Sequence, residues 1–246
     1  MRRLISIILL LLPLFVHSQT EVASTEEVLI YPEFTYGSNS IFIQANKDAG
    51  FQYSILDTDK NNTYLSGKVT SLEPMIRTGK YTFYTPEGKP YASGFYSNNI
   101  PFRVWSYFDG EGQVVASVNY SAAIQFMKNF GDIDLGEDSV QQAKKAPKFG
   151  KKGMKGFLKF IQENAIYPPF TLINNEEGKV VCQFVIDKTG QLINARIVEG
   201  LNEDFDLEVI RVLSLSPNWK PGINKGKPVN VMYTIPVRFR ITSETE

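Results

Sequence analysis

Histidine and cysteine carry much of protein catalysis and metal binding, and this chain has one of each. His17 falls inside a short apolar stretch at the start that reads as a leader, so nothing beyond residue 18 contains a histidine. A Ser-His-Asp or Cys-His arrangement cannot be assembled without one. Zinc sites draw on several His and Cys ligands, and a single thiol cannot supply them. Cys182 alternates with Val180, Phe184 and Ile186 on one face of a strand, the position of a small buried hydrophobe rather than a nucleophile. Asp57/Asp59 and Asp132/Asp134 have the residue type for glycoside hydrolysis, but they stand in loop-like sequence without a pocket signature and read as surface charge. Gly150, Gly153 and Gly156 lie among lysines without the spacing or the Lys-Ser/Thr step of a phosphate-binding loop. The residues therefore predict no enzyme, no cofactor and no metal site.

The first residues set the compartment. Arg2 and Arg3 precede an apolar run, Leu4–Val16, and Val16 and Ser18 suit the −3 and −1 positions of a cleavage site before Gln19. That is the pattern of a secretory signal peptide. The run is shorter than the roughly 17–25 residues that span a bilayer as a helix, and an uncleaved inner-membrane anchor is the alternative reading. No Cys follows the run, as a lipoprotein would require. The chain is formally neutral, with 26 basic and 26 acidic residues; loss of Arg2 and Arg3 leaves 24 against 26. Such a balance offers no nucleic-acid or anionic-membrane surface. One thiol forms no internal disulfide, so packing must hold the fold.

Two textures divide what remains. After an N-terminal segment over 19–50 that reads as β, residues 51–125 are rich in Tyr, Phe, Gly and Ser and contain a repeat. At an offset of 24, Tyr81–Tyr96 aligns with Trp105–Tyr120, and Tyr64-Leu-Ser-Gly67 echoes Tyr91-Ala-Ser-Gly94. Each unit reads as an aromatic strand, a turn at Glu-Gly (Glu87-Gly88, Glu111-Gly112) and a second strand ending in Tyr. Hairpins repeated side by side bury one another's aromatic faces, which an isolated hairpin cannot do. The pattern resembles the MORN-like repeats of bacterial envelope proteins, with Arg103 where many such repeats carry Gly. Residues 126–150 hold an acidic patch and then lysines, and read as a charged, solvated linker.

From residue 151 onward the periods change. Met154, Leu158, Ile161 and Ala165 share one helix face, and Pro168-Pro169 stops the helix. Val180–Ile186 alternates as a strand, Asp187–Gly190 turns, and Leu192–Glu199 returns. Asn202 caps a second helix with Phe205, Val209, Val212 and Leu213 on its apolar face. Val229, Val231, Tyr233, Ile235, Val237 and Phe239 then alternate as a closing strand.

These motifs match a family. Phe157…Phe160-Ile161…Asn164…Tyr167-Pro168, Gly178-Lys-Val-Val…Phe184-Val-Ile-Asp187…Gly190, Asp206…Glu208…Arg211, Pro217-Asn-Trp219, Pro221-Gly222 and Gly226-Lys-Pro-Val229 together resemble the C-terminal domain of the energy transducer TonB, over about 147–240. The resemblance implies an α+β chain: an antiparallel β-hairpin repeat region, then a domain over 151–246 with a three-stranded antiparallel sheet and two helices in the order α-β-β-α-β. It also implies a periplasmic protein-binding task linked to transmembrane transport. The sheet edge would pair with an extended peptide, such as the TonB box of an outer-membrane receptor, by strand addition. Carried over by position, the peptide-binding residues are Tyr167, Pro168, Val229, Val231, Tyr233, Ile235 and Val237. The same edge could serve self-association. Two departures stand out: no Pro-rich spacer precedes the domain, and it opens on Phe149-Gly-Lys-Lys-Gly153 instead of a Pro-Gly-Gly form. The alternative reading is a structural envelope protein whose aromatic repeats bind a glycan or another protein.

Overall fold

The computed structural model describes residues 22–23, 28–30, 40–46, 50–57, 62–72, 74–131, 133–135 and 139–241. The predicted leader with His17 lies outside them, as do Asp59, Asp132, Glu137 and Asp138.

Seven antiparallel strands follow one another without a crossover: β3 (Ser40–Asn46), β4 (Gly50–Asp57), β5 (Asn62–Leu72), β6 (Met75–Tyr84), β7 (Pro90–Ser97), β8 (Ile100–Phe108) and β9 (Val114–Asn119). The repeat explains their packing. Tyr81 and Trp105 are equivalent in the repeat, and each ring lies over a glycine of the neighbouring strand, Gly67 and Gly94 respectively. A Cβ at either glycine would run into the ring, so the small residue and the large one are required together. Rings of Tyr81, Tyr96, Trp105 and Tyr120 form a chain of edge-to-face contacts across the sheet, at 5.0, 5.1 and 6.0 Å between centroids. Arg103 adopts φ 62°, and Gly79, one repeat earlier, adopts φ 73°: the backbone repeats where the residue type does not.

Where the sequence predicted the start of a solvated linker, the chain forms helix α1 (Tyr120–Phe130). Asn119 caps it by accepting from the Ala122 N–H at 3.1 Å. Tyr120, Ala123, Ile124 and Met127 give a helical spacing that the repeat, closing on Tyr120, had masked. The lysine-bearing stretch that follows is also held by its backbone: Lys145 exchanges hydrogen bonds with Ile223, and Lys148 with Lys220, while the lysine side chains stay exposed.

The remaining elements are α2 (Met154–Asn164), α3 (Pro169–Ile173), β10 (Gly178–Ile186), β11 (Leu192–Glu199), α4 (Glu203–Ser214), the small hairpin β12 (Gly222–Asn224) and β13 (Lys227–Val229), and β14 (Val231–Phe239). β14, β10 and β11 form the expected three-stranded antiparallel sheet in that order. The expected closing strand is broken at its start. Asn230 leaves the strand to accept from the Lys188 N–H through its side chain and from the Gln141 N–H through its carbonyl, which puts Val229 in the hairpin instead. α3 was not expected; Pro169 at its first turn has no N–H to leave unsatisfied.

Helix α4 lies between the two sheets. Its predicted face packs on the C-terminal sheet, but Asp204, Leu207, Glu208, Ile210 and Arg211 are buried as well, because the aromatic sheet and α1 cover the other side. Tyr96 donates to Asp204 at 2.7 Å, and its repeat equivalent Tyr120 donates to Glu208 at 3.1 Å, one helical turn on. Arg77 completes the joint at 2.6 Å from Asp204, its guanidinium stacked between the rings of Tyr96 and Phe170. Burial pushes the Asp204 carboxyl up, and Arg77 opposes the shift. The buried residues of both sheets form one continuous core.

Candidate functional site

Strand β14 is held on one side by β10, with a paired residue at every position from Val231 to Phe239. Its inward side chains anchor it in the core: Val231, Tyr233, Ile235 and Val237 are all buried. Tyr233 packs against Phe184 and Trp219 at 5.7 and 5.9 Å between centroids, and burial raises its hydroxyl to about 12. Trp219 also meets Phe149 and Phe157, and its N–H donates to Ser216 at 3.0 Å, so it fixes the core beneath the strand. Cys182 is fully buried across from Ile235, and burial raises its thiol to about 12, in agreement with an inert hydrophobe.

The other side of β14 is an edge with distinctive chemistry. Pro236 stands in the strand, and proline has no N–H to give to a ladder. Proline is confined to edge strands, so a strand that carries it is not built for permanent pairing on both sides. N–H groups of a strand point alternately to its two sides, which assigns Pro236 to the outward set with Met232, Thr234 and Arg238. These four are half-buried, and Thr234 accepts from the Gln183 side chain at 3.1 Å.

A segment from the other end of the chain lies on this edge. β1 (Val22–Ala23) and β2 (Val28–Ile30) both pair with β14 in parallel. Val22 and Ala23 stand opposite Tyr233 and Thr234, and Val28, Leu29 and Ile30 stand opposite Val237, Arg238 and Phe239. Among the described residues, none is paired with Ile235 or Pro236 on that side.

The predicted site residues are thus gathered, but not as a row of side chains facing a partner. Val231, Tyr233, Ile235 and Val237 anchor the strand from inside, while Met232, Thr234 and Arg238 stay half-buried on its other face. Val229 lies outside the strand. Tyr167 is buried with its ring 5.6 Å from both Phe205 and Phe239, and its hydroxyl donates to the Glu176 carbonyl at 2.6 Å. Pro168 is buried too, its carbonyl accepting from Leu172 at the start of α3. Tyr167 braces the end of β14 at Phe239 from the core side, and Pro168 opens α3. Met232 and Thr234 are not among the predicted site residues; Pro236 inside an alternating run is the signal that marks their set.

Behind the sheet, Met232, Gln183, Asn194 and Arg196 border a groove of 530 Å³ closed on its far side by Ile133 and Asp134. Arg196 donates to the Gln183 side-chain oxygen at 2.9 Å, and Asn194 exchanges hydrogen bonds with Ile133. The repeat aromatics divide between the core and the surface, with Tyr84, Phe95, Phe102 and Phe108 half-buried. Tyr81, Tyr96, Trp105 and Tyr107 are buried and form core. Among the described residues no His, Cys, Asp or Glu cluster could hold a metal ion, and no helix is long and apolar enough to cross a membrane.

Residues 163–241 match the family model described as the Gram-negative bacterial TonB protein C-terminal, a transport-associated domain of the cell envelope. The match runs from the end of α2 through β14, so it contains the sheet and its outward edge. No curated protein and no solved structure matches the chain.

Proposed function

We propose that this protein is a periplasmic binding module of the TonB type. β14 takes an extended peptide, such as the TonB box of an outer-membrane receptor, as an added strand, and this capture serves transmembrane transport. The carrying observation is the outward edge of β14: a proline-bearing strand of a TonB-type sheet, with main-chain groups that accept a parallel strand. Main-chain hydrogen bonds then provide the affinity, and the half-buried Met232, Thr234 and Arg238 are placed to select among side chains. The inward residues Val231, Tyr233, Ile235 and Val237 contribute by anchoring the strand in the core, and Tyr167 by bracing its end. Removal of residues 1–18 after Ser18 would release the chain into the periplasm, where such receptors expose their peptides.

The test is a proline scan read against peptides from outer-membrane receptors titrated to millimolar concentration by NMR. Thr234→Pro removes an outward N–H and leaves the β10 ladder, so binding is expected to weaken at least tenfold with the fold intact. Tyr233→Pro removes an inward one and is expected to unfold the sheet. Undiminished binding by Thr234→Pro would sink the edge assignment.

A further inference from the structure

The occupied edge carries a second conclusion, which rests on the strand-addition reading. We propose that residues 22–30 are a built-in competitor for β14, so that a partner strand binds by displacing the chain's own segment. The contrast between the two sides of β14 supports this. On the β10 side nine successive positions are paired. On the outer side the described residues pair five, two at β1 and three at β2. Between these blocks the register slips, because Val22 faces Tyr233 while Val28, six residues on, faces Val237, four residues on. The slip falls at Pro236, where the ladder lacks a donor. A short, interrupted ladder of this kind is easily exchanged.

The segment is also tethered. Nine residues, 31–39, join β2 to β3, and at about 3.3–3.6 Å per residue they keep it within roughly 30 Å of its anchor. A short tether of this kind holds a segment at a millimolar effective concentration. β2 lies against α2 as well as β14. The competitor therefore lowers the apparent affinity of any added strand to its intrinsic value multiplied by the fraction of time the edge is free.

The occupant also indicates what the edge takes. Its sequence runs Glu26-Glu27-Val28-Leu29-Ile30, and the register sets Leu29 beside Arg238. The fitting class is an extended, parallel strand with three consecutive apolar β-formers after acidic residues.

The experiment compares the chain over residues 19–246 with its Val28→Pro/Ile30→Pro variant. The probe is a fluorescent synthetic peptide of the chain's own residues 20–31, read by anisotropy, and amide hydrogen exchange of β14 is measured in parallel. Against a millimolar internal competitor and a free-peptide Kd on the order of 100 μM, the variant is expected to bind about tenfold tighter. Its outward β14 amides should also exchange faster than the parent's. Equal affinity in parent and variant would overturn displacement and leave strand addition standing. Unchanged exchange would overturn the internal pairing itself. Binding to neither protein, with faster exchange in the variant, would overturn the strand-addition reading and displacement with it. A variant lacking residues 19–31, checked for native circular dichroism, repeats the comparison if the proline pair disturbs folding.

Discussion

In the aromatic sheet every strand pairs with its neighbour in sequence, β3 through β9 in unbroken order, whereas in the C-terminal sheet β14 sits between β10 and a segment from the far end of the chain. The first sheet spends its variability on side chains: Gly67 and Gly94 exist to receive Tyr81 and Trp105, and the tyrosine hydroxyls reach the acids of α4. The second sheet anchors β14 by its inward side chains and leaves main chain on its edge. A sheet built from neighbouring hairpins with interlocked rings is suited to being a fixed wall. A sheet ending in a proline-bearing strand is suited to exchanging a partner. The wall also buries the back of α4, including Asp204, Glu208 and Arg211.

The largest expected effect breaks the joint between the two regions. Arg77→Ala leaves Asp204 buried and unpaired, and such losses cost about 3–5 kcal/mol. Urea unfolding should show it as a lowered midpoint in one transition, since both sheets share a core. Two separated transitions would mean that the sheets fold independently. Arg77→Met with Asp204→Leu, which removes both charges, is expected to recover much of the loss.

Alkali probes the C-terminal core. Cys182 titrates from 9.0 when unfolded to about 12 in the fold, and Tyr233 from 10.0 to about 12, both through burial. A raised pKa in the fold gives stability that is complete below the unfolded value and is lost as pH rises through the folded one. Stability should therefore be insensitive to these groups below pH 9. Between pH 9 and 12 it should fall steadily as pH rises, with Cys182 contributing first because burial raises its thiol. Circular dichroism melts across that range check the slope, and a Cys182→Ala variant should show a later onset. The thiol should resist alkylation at pH 8 until the protein unfolds.

Gly94→Ala sharpens the contrast within the aromatic sheet. The added methyl meets the Trp105 ring, and overpacking of this kind costs about 1–3 kcal/mol. A thermal melt followed by tryptophan fluorescence reports it. The smallest effect is at the surface: Lys159 and Glu163 pair at 3.2 Å on α2 with both side chains about 60 % exposed. Lys159→Ala is expected to cost about 0.2–0.5 kcal/mol, roughly a tenth of the buried pair.

Much of this fold was legible in the sequence where a side chain's surroundings repeat at a fixed period. The alternation through Val231–Phe239, the Asn202 cap and the offset of 24 between Tyr81 and Trp105 each name a buried face, because burial selects apolar types one by one. Helix α1 was hidden for the same reason. Tyr120 closes the repeat and opens the helix, and one residue serves two periods.

The joint and the edge were decided by tertiary structure alone. Tyr96 and Asp204 lie 108 positions apart, and a charged residue in the first turn of a helix looks the same whether it faces water or an arginine. The edge is harder still to read, for a deeper physical reason. Side chains record which face of a strand is buried, but strands are joined through N–H and C=O groups that almost every residue carries alike. The sequence could therefore state that β14 has an inner face, and through Pro236 that one of its edges is special. Only the folded chain could bring Val22–Ala23 and Val28–Ile30 to that edge.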